Sequence, residues 1–290
     1  MNPSEERIRA NGLEHHLLRW DGGGELVVLM HGFLDLAWSW RAVAEQLAEA
    51  GRHVVAFDFR GHGETEWIGA GGYYHFWDYL LDVDELIGKL ATEERSVHLV
   101  GHSMGGVVAL LYAATRPEPL KSLTIVEGLG PPKPSTLGPV ERSKGWLDAV
   151  RRVRGHTMRP IPTLEEVVRR MRVQNPEIDD DLGLFLAEKA TRRVDGGFLF
   201  RFDPLHRTPS PRALNRDEAE AFLDAISTPT LVVSGAEGYQ VVDKAERLER
   251  LRPRQIVEIP YVGHMVHWFQ PEALARAIEA HLETVCAEDP

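Results

Sequence analysis

Cysteine is almost absent: Cys286 is the one thiol among 290 residues. A single thiol excludes an intrachain disulfide and fits a reducing compartment. Long apolar runs are missing as well. No stretch approaches the ~18 residues of a membrane helix, so no membrane partner is expected. The first residues, Met1-Asn-Pro-Ser-Glu-Glu-Arg7, are charged and lack the apolar core of a secretory signal. Cytoplasmic location is the expectation. Positive charge is scarce too. Lys and Arg number 33 against 44 Asp and Glu, a net charge of −11. That balance favours solubility and argues against a general nucleic-acid partner. No internal repeat and no low-complexity segment is visible. What remains is 43% apolar and 27% charged, the composition of a folded domain with a sizeable core.

That core is organised around Ser96–Gly106, S-V-H-L-V-G-H-S-M-G-G. Val97 to Val100 reads as a short buried parallel strand. Gly101-His-Ser-Met-Gly105 follows in the pattern G-x-S-x-G, and Gly106 onward reads as a buried helix. Strand, sharp turn and helix are the setting of a nucleophile elbow. Side chains two before and two after the serine would clash in so sharp a turn, and glycine removes both. Ser103 is then held up at the C-terminal edge of the sheet.

The rest of the chain alternates in the same way. Leu13–Trp20 reads as an edge strand, Glu25–His31 and His53–Phe57 as buried strands, and Ser122–Val126 as another strand. Helices are expected over Trp38–Ala50 and Tyr74–Leu90. From Pro131 to about Ala221 the rhythm stops and the chain is rich in Arg and Pro, with short helical stretches. Thr163-Leu-Glu-Glu166 is a capping box opening one of them. Strands return at Thr230–Ser234 and Gln255–Ile259, with helices at Asp243–Leu251 and Pro271–Leu282. This alternation predicts an α/β fold, a mostly parallel sheet flanked by helices. Residues 1–130 and 222–290 form its core. Residues 131–221 are expected as an inserted helical cap on the side where such folds bind ligands.

A serine hydroxyl needs a base. His264 follows a strand, sits after Gly263 and precedes the last helix, the place of the base in the order serine, acid, histidine. His267 in the same loop is its competitor. A zinc reading of His264-x-x-His267 is weak, because no H-E-x-x-H and no third ligand accompany it. An oxyanion needs two backbone donors. Met104 N–H, after the nucleophile, is one. Phe33 N–H, in the loop after His31-Gly32, is the other. Asp58 and Arg60 read as a structural pair fixing the loop Asp58-Phe-Arg-Gly-His-Gly63. The segment from Arg142 to Arg172 holds nine Lys/Arg and three Asp/Glu, read as solvated helix faces or as a lure for anionic substrates.

His31-Gly32, Asp58-x-Arg60-Gly-His-Gly63, Gly101-His-Ser-Met-Gly-Gly106 and Gly263-His264 with Gln270-Pro-Glu272 stand in this order along the chain. Together they resemble the α/β-hydrolase superfamily, over both ends of the chain and outside 131–221. The resemblance implies that fold, with Ser103 as nucleophile and His264 as base. It also implies an acid after Leu231–Ser234, as Asp in a G-x-x-D pattern. Here the pattern is Gly235-Ala-Glu-Gly238, so glycine stands at the acid position. Glu127 ends the preceding strand, where some haloalkane dehalogenases of the superfamily carry a Glu. It is the expected third member, with Glu237 and Asp243 as alternatives. Serine at the elbow argues against dehalogenase or epoxide-hydrolase chemistry, which uses Asp there.

The expected function is a serine hydrolase cleaving carboxylic esters through Ser103, His264, Glu127 and an acyl-enzyme. Lactonase and C–C bond hydrolase activity use the same set. A non-catalytic ligand-binding module of the same fold is the alternative from another class. The expected partner is a small-molecule ester or lactone, with no cofactor and no metal.

Overall fold

The computed structural model describes residues 2–91, 96–130, 137–212, 216–241 and 243–288. In chain order these hold β1 (Ser4–Ala10), β2 (Leu13–Trp20), β3 (Leu26–Met30), α1 (Arg41–Glu49), β4 (His53–Phe57), α2 (Phe76–Leu90), β5 (Val97–His102), α3 (Met104–Thr115) and β6 (Leu120–Val126). Then come α4 (Pro139–Arg154), α5 (Leu164–Met171), α6 (Asp180–Ala190), β7 (Thr191–Val194), β8 (Gly197–Phe200) and α7 (Arg216–Ala225). The chain closes with β9 (Thr230–Gly235), α8 (Lys244–Leu251), β10 (Gln255–Ile259), α9 (Val266–Phe269) and α10 (Pro271–Ala287).

Eight strands form one sheet in the order β1-β2-β4-β3-β5-β6-β9-β10. From β4 to β10 neighbouring strands run parallel, while β2 runs antiparallel to both β1 and β4. The inner strands β3, β4 and β5 are buried along their whole length. That is why they read as unbroken apolar runs: helices cover both faces. One face packs under α2, α3, α7 and α8, the other under α1, α9 and α10. Helix α3 is apolar on nearly every side because nine of its residues are buried.

Two expectations change here. Leu13–Trp20 is not the edge strand, because β1 lies outside it. Strand β1, S-E-E-R-I-R-A, turns only Ile8 and Ala10 toward the core. Charges blunt such an edge against further pairing and also hide the strand from an apolar search. Asp58 and Arg60 do not pair with each other either. Asp58 accepts from His16 Nδ1 (2.7 Å) and Ala37 N (2.7 Å), while Arg60 pairs with Asp82.

Between β6 and β9 the described chain runs through α4, α5, α6, the hairpin β7–β8 and α7. The expected starting point at Pro131 lies outside the described residues. The insertion is not purely helical, since β7 and β8 pair antiparallel. Its own small core is Ile161, Val167, Val168 and Ala187, packed by Phe198 and Phe200 of β8. A boundary at 221 divides α7, whose Leu223 belongs to the core beneath α3. Several contacts fasten the insertion to the sheet domain. Tyr74 Oη donates to Asp203 (2.9 Å), Trp67 Nε1 to the Arg201 carbonyl (2.7 Å), and Lys189 lies 3.9 Å over the Trp38 ring. Much of its basic charge is already paired: Arg169 and Arg170 with Glu166, Arg172 with Asp180.

At the opposite end of the sheet from Ser103, Glu25 ties the last helix to the strands. Its carboxylate accepts from Lys121 (2.7 Å), Arg52 (3.0 Å), His98 (3.0 Å) and the Cys286 thiol (2.7 Å). Burial works against the charged form. Hydrogen bonds from Cys286, Lys121 and His98 outweigh it and hold the carboxyl down at about 2. The stabilisation is therefore full above the ordinary value of 4.5 and is lost as pH falls through about 2. Glu25→Gln should cost roughly 1–3 kcal/mol at neutral pH. Urea unfolding should show that gap closing as the pH is lowered from 4.5 towards 2. A gap that stays constant over that range would mean the charge is not its source.

Candidate active site

Ser103 lies between β5 and α3 with φ 52° and ψ −115°. A non-glycine residue rarely adopts positive φ, and such strain gathers at functional sites. The flanking glycines permit it. A Cβ on Gly101 would run into the Gly105 carbonyl, and one on Gly105 would sit 2.6 Å from the Met30 and His31 carbonyl oxygens. Ser103 N–H donates to Val126 O (2.9 Å), which pins the elbow to the end of β6.

The next residue after β6 is Glu127, again with positive φ, 52°. Strand β6 neighbours β9, so the glutamate side chain reaches across to the loop after β9. There Oε1 accepts from Gly235 N–H (2.9 Å), and Oε2 from Tyr239 N–H (3.3 Å) and His264 Nδ1 (3.0 Å). Gly238 decides whether this is possible. A Cβ built on it would overlap the Glu127 carboxylate. The missing side chain at 238 and the acidic side chain from 127 are thus two halves of one arrangement. Glu237 and Asp243 take no part in it: Asp243 pairs with Arg247 (3.0 Å), and among the described residues neither hydrogen-bonds a histidine.

With Glu127 accepting at Nδ1, His264 carries its hydrogen there and presents Nε2 as a lone pair. Its ring lies against those of Tyr239 (4.3 Å between centroids) and His102 (4.7 Å). His102 Nε2–H donates to the His264 carbonyl (2.9 Å) and so holds the loop from behind. Among the described residues no hydrogen bond joins Ser103 Oγ to His264. Such contacts commonly tighten only around a substrate.

Phe33 and Met104 offer backbone N–H groups that no protein acceptor takes among the described residues. Leu34 is the third strained residue at this edge, with φ 58°. His62 Nε2 accepts its N–H (3.2 Å). Burial, then the charges of His206 and His31, hold His62 well below the ordinary histidine range, so it is a neutral acceptor. His206 from the insertion stacks on His62 at 4.1 Å and, mainly through burial, is held down at about 3.

His267 is not free to serve as a base. Its Nε2 faces Asp35 Oδ2 (3.1 Å), and its ring stacks on Trp40 at 4.6 Å. Burial, then the charges of His264 and His31, press it well below the ordinary range. Asp35 itself is pushed up to about 6 by burial. Sequence reasoning passed over Tyr239, Asp35 and His102. Tyr239 adjoins the informative Gly238, and His102 sits inside the elbow motif. Asp35 carries no such mark.

The alpha/beta hydrolase fold family matches residues 25–158. A serine hydrolase-like protein of Danio rerio is 28% identical over 270 residues, 90% of this chain and 82% of the other. An esterase of Mycobacterium tuberculosis is 28% identical over 97% of this chain and 90% of its own. Among solved structures, the thioesterase domain from the curacin biosynthetic pathway superposes with a TM-score of 0.85 at 26% identity. It covers 96% of this chain and all of its own. No helix among the described residues is long and apolar enough to cross a membrane. A mostly parallel sheet with an elbow serine after β5 and a histidine after β10, together with these likenesses, gives the chain the α/β-hydrolase fold.

Proposed function

We propose that this protein is a serine hydrolase of carboxylic esters acting through Ser103, His264 and Glu127. The carrying observation is the Glu127–His264 hydrogen bond (3.0 Å) at the sheet edge that bears the strained Ser103. In this reading His264 Nε2 takes the serine proton as Oγ attacks the ester carbonyl. Glu127 fixes the imidazole tautomer and stabilises the imidazolium. Phe33 and Met104 N–H groups hold the oxyanion, helped by the positive end of α3. The alcohol leaves with the proton from His264, and water resolves the acyl-enzyme by the same steps. Esterase and thioesterase relatives support acyl transfer to water. In the same reading the insertion acts as a cap bounding the acyl site. His206 lies 6.5 Å from the Phe33 ring, and Phe185 lies 6.0 Å from Trp38.

The test is covalent labelling by a fluorophosphonate together with a panel of esters of graded acyl length and lactones. Labelling at Ser103 and turnover of esters are expected. A chain that neither labels nor turns over any member is a binding module. Turnover of lactones alone would move the substrate class.

Gly238 provides a sharper check on the acid. Gly238→Ala adds one methyl group where the Glu127 carboxylate lies. It should lower kcat roughly ten- to a hundredfold by displacing the carboxylate, with KM little changed. Wild-type kcat in that variant would show that Glu127 does not orient the base.

A further inference from the structure

Phe33 is 51% exposed, so side-chain packing does little to fix its backbone. Hydrogen bonds to the two flanking peptide planes do it instead. The first plane, between Gly32 and Phe33, carries the N–H offered to an oxyanion. Its carbonyl, on Gly32, accepts from His31 Nδ1 (2.7 Å). The second plane, between Phe33 and Leu34, is tied among the described residues by one bond, from Leu34 N–H to His62 Nε2 (3.2 Å). Leu34 stands there at φ 58°, a region leucine rarely enters, so the bond holds a conformation the chain does not adopt unaided.

His62 is prepared for that role. Its Nδ1–H donates to the Arg60 carbonyl (3.1 Å), which leaves Nε2 as a lone pair. Burial, then the charges of His206 and His31, keep the ring neutral. A protonated ring would have no lone pair to offer. The ring is also held in place. His206 of the insertion stacks on it at 4.1 Å, and the His62 backbone N–H donates to the Phe59 carbonyl (2.9 Å). The loop that carries it is tied down: Asp58 accepts from Glu64 N–H (2.9 Å), and Arg60 pairs with Asp82. An exposed loop whose donor must stand within about half an ångström of its working position is thus braced by a buried one.

We propose that His62 is a positioning residue of the oxyanion hole: by accepting the Leu34 N–H it sets the direction of the Phe33 N–H. The inference rests on the ester hydrolysis proposed above. His62 acts through the Leu34 peptide and not on the reacting atoms. Its effect therefore belongs in kcat, where a misplacement of about an ångström costs roughly a hundredfold.

The experiment pairs an ester with its thionoester, which puts sulfur where the oxyanion forms. Sulfur accepts hydrogen bonds weakly, so the hole favours the oxygen compound, and a slackened hole favours it less. His62→Phe keeps a ring on His206 and removes the lone pair. It should lower kcat on the ester roughly ten- to a hundredfold, with KM little changed, and lower the ester-to-thionoester rate ratio by about the same factor. His62→Gln places an amide oxygen near the position of Nε2 and should keep both within about fivefold of wild type. Equal loss on the two substrates would show a merely structural role and overturn the inference. So would a wild-type rate in His62→Phe, or equal losses in the Phe and Gln variants. If His62→Phe fails to fold, the nitrogen-15 resonances of His62 in the wild type decide. An unprotonated Nε2 with scalar coupling to the Leu34 amide nitrogen supports the contact, and a protonated or uncoupled Nε2 overturns it. Wild-type protein that hydrolyses no ester would overturn the ester reading and this inference together. Normal wild-type turnover with an unchanged ratio in His62→Phe overturns this inference alone.

Discussion

The Ser103→Ala variant is expected to fold as the wild type does and to lose roughly 10⁴–10⁶ in kcat. The folding half follows from geometry. The strained φ of 52° is a backbone property imposed by the glycines around it and by the Ser103 N–H bond to Val126. Oγ contributes no hydrogen bond to the described structure, so its removal leaves no buried partner unsatisfied. The catalytic half follows from chemistry. Without Oγ no acyl-enzyme forms, and only the oxyanion donors and substrate binding remain to help a direct attack by water. Melting temperature and steady-state kinetics on one ester check both halves. Retention of most of the activity would remove Ser103 as the nucleophile.

Glu127→Gln should also keep the fold and lower kcat by roughly 10²–10⁴. The amide is the same shape as the carboxylate it replaces. Its oxygen can still accept from Gly235 N–H, so the loop after β9 stays anchored. What changes is the partner of His264 Nδ1. An amide nitrogen facing that atom favours the wrong imidazole tautomer, and even the correct orientation leaves a weaker acceptor with no charge for the imidazolium. Glu237→Gln and Asp243→Asn should change kcat little, since neither side chain hydrogen-bonds a histidine among the described residues. Near-normal activity of Glu127→Gln, with loss in either of the other two, would return the acid to the loop after β9.

Much of this protein was legible in the chain itself. The parallel core announced itself through β3, β4 and β5, because a strand buried on both faces must be apolar throughout. The turn at Ser103 was legible for a related reason. A sharp strand-to-helix turn demands glycine at 101 and 105, and that demand is local, visible within five residues. Strand β1 was not legible, because an edge needs charge more than apolar side chains and a charged strand resembles a loop.

The long-range contacts could only be decided in three dimensions. Nothing in the spacing of Gly238 and Glu127, 111 positions apart, states that the absent side chain of one leaves room for the carboxylate of the other. That follows from β6 and β9 being neighbours in the sheet, which sets their ends side by side. The same holds for Asp35 against His267, one from the loop after β3 and the other from α9. The first rests on the register of two strands distant in sequence and the second on a helix packed against a loop, and both are properties of the packed fold rather than of any stretch of chain within it.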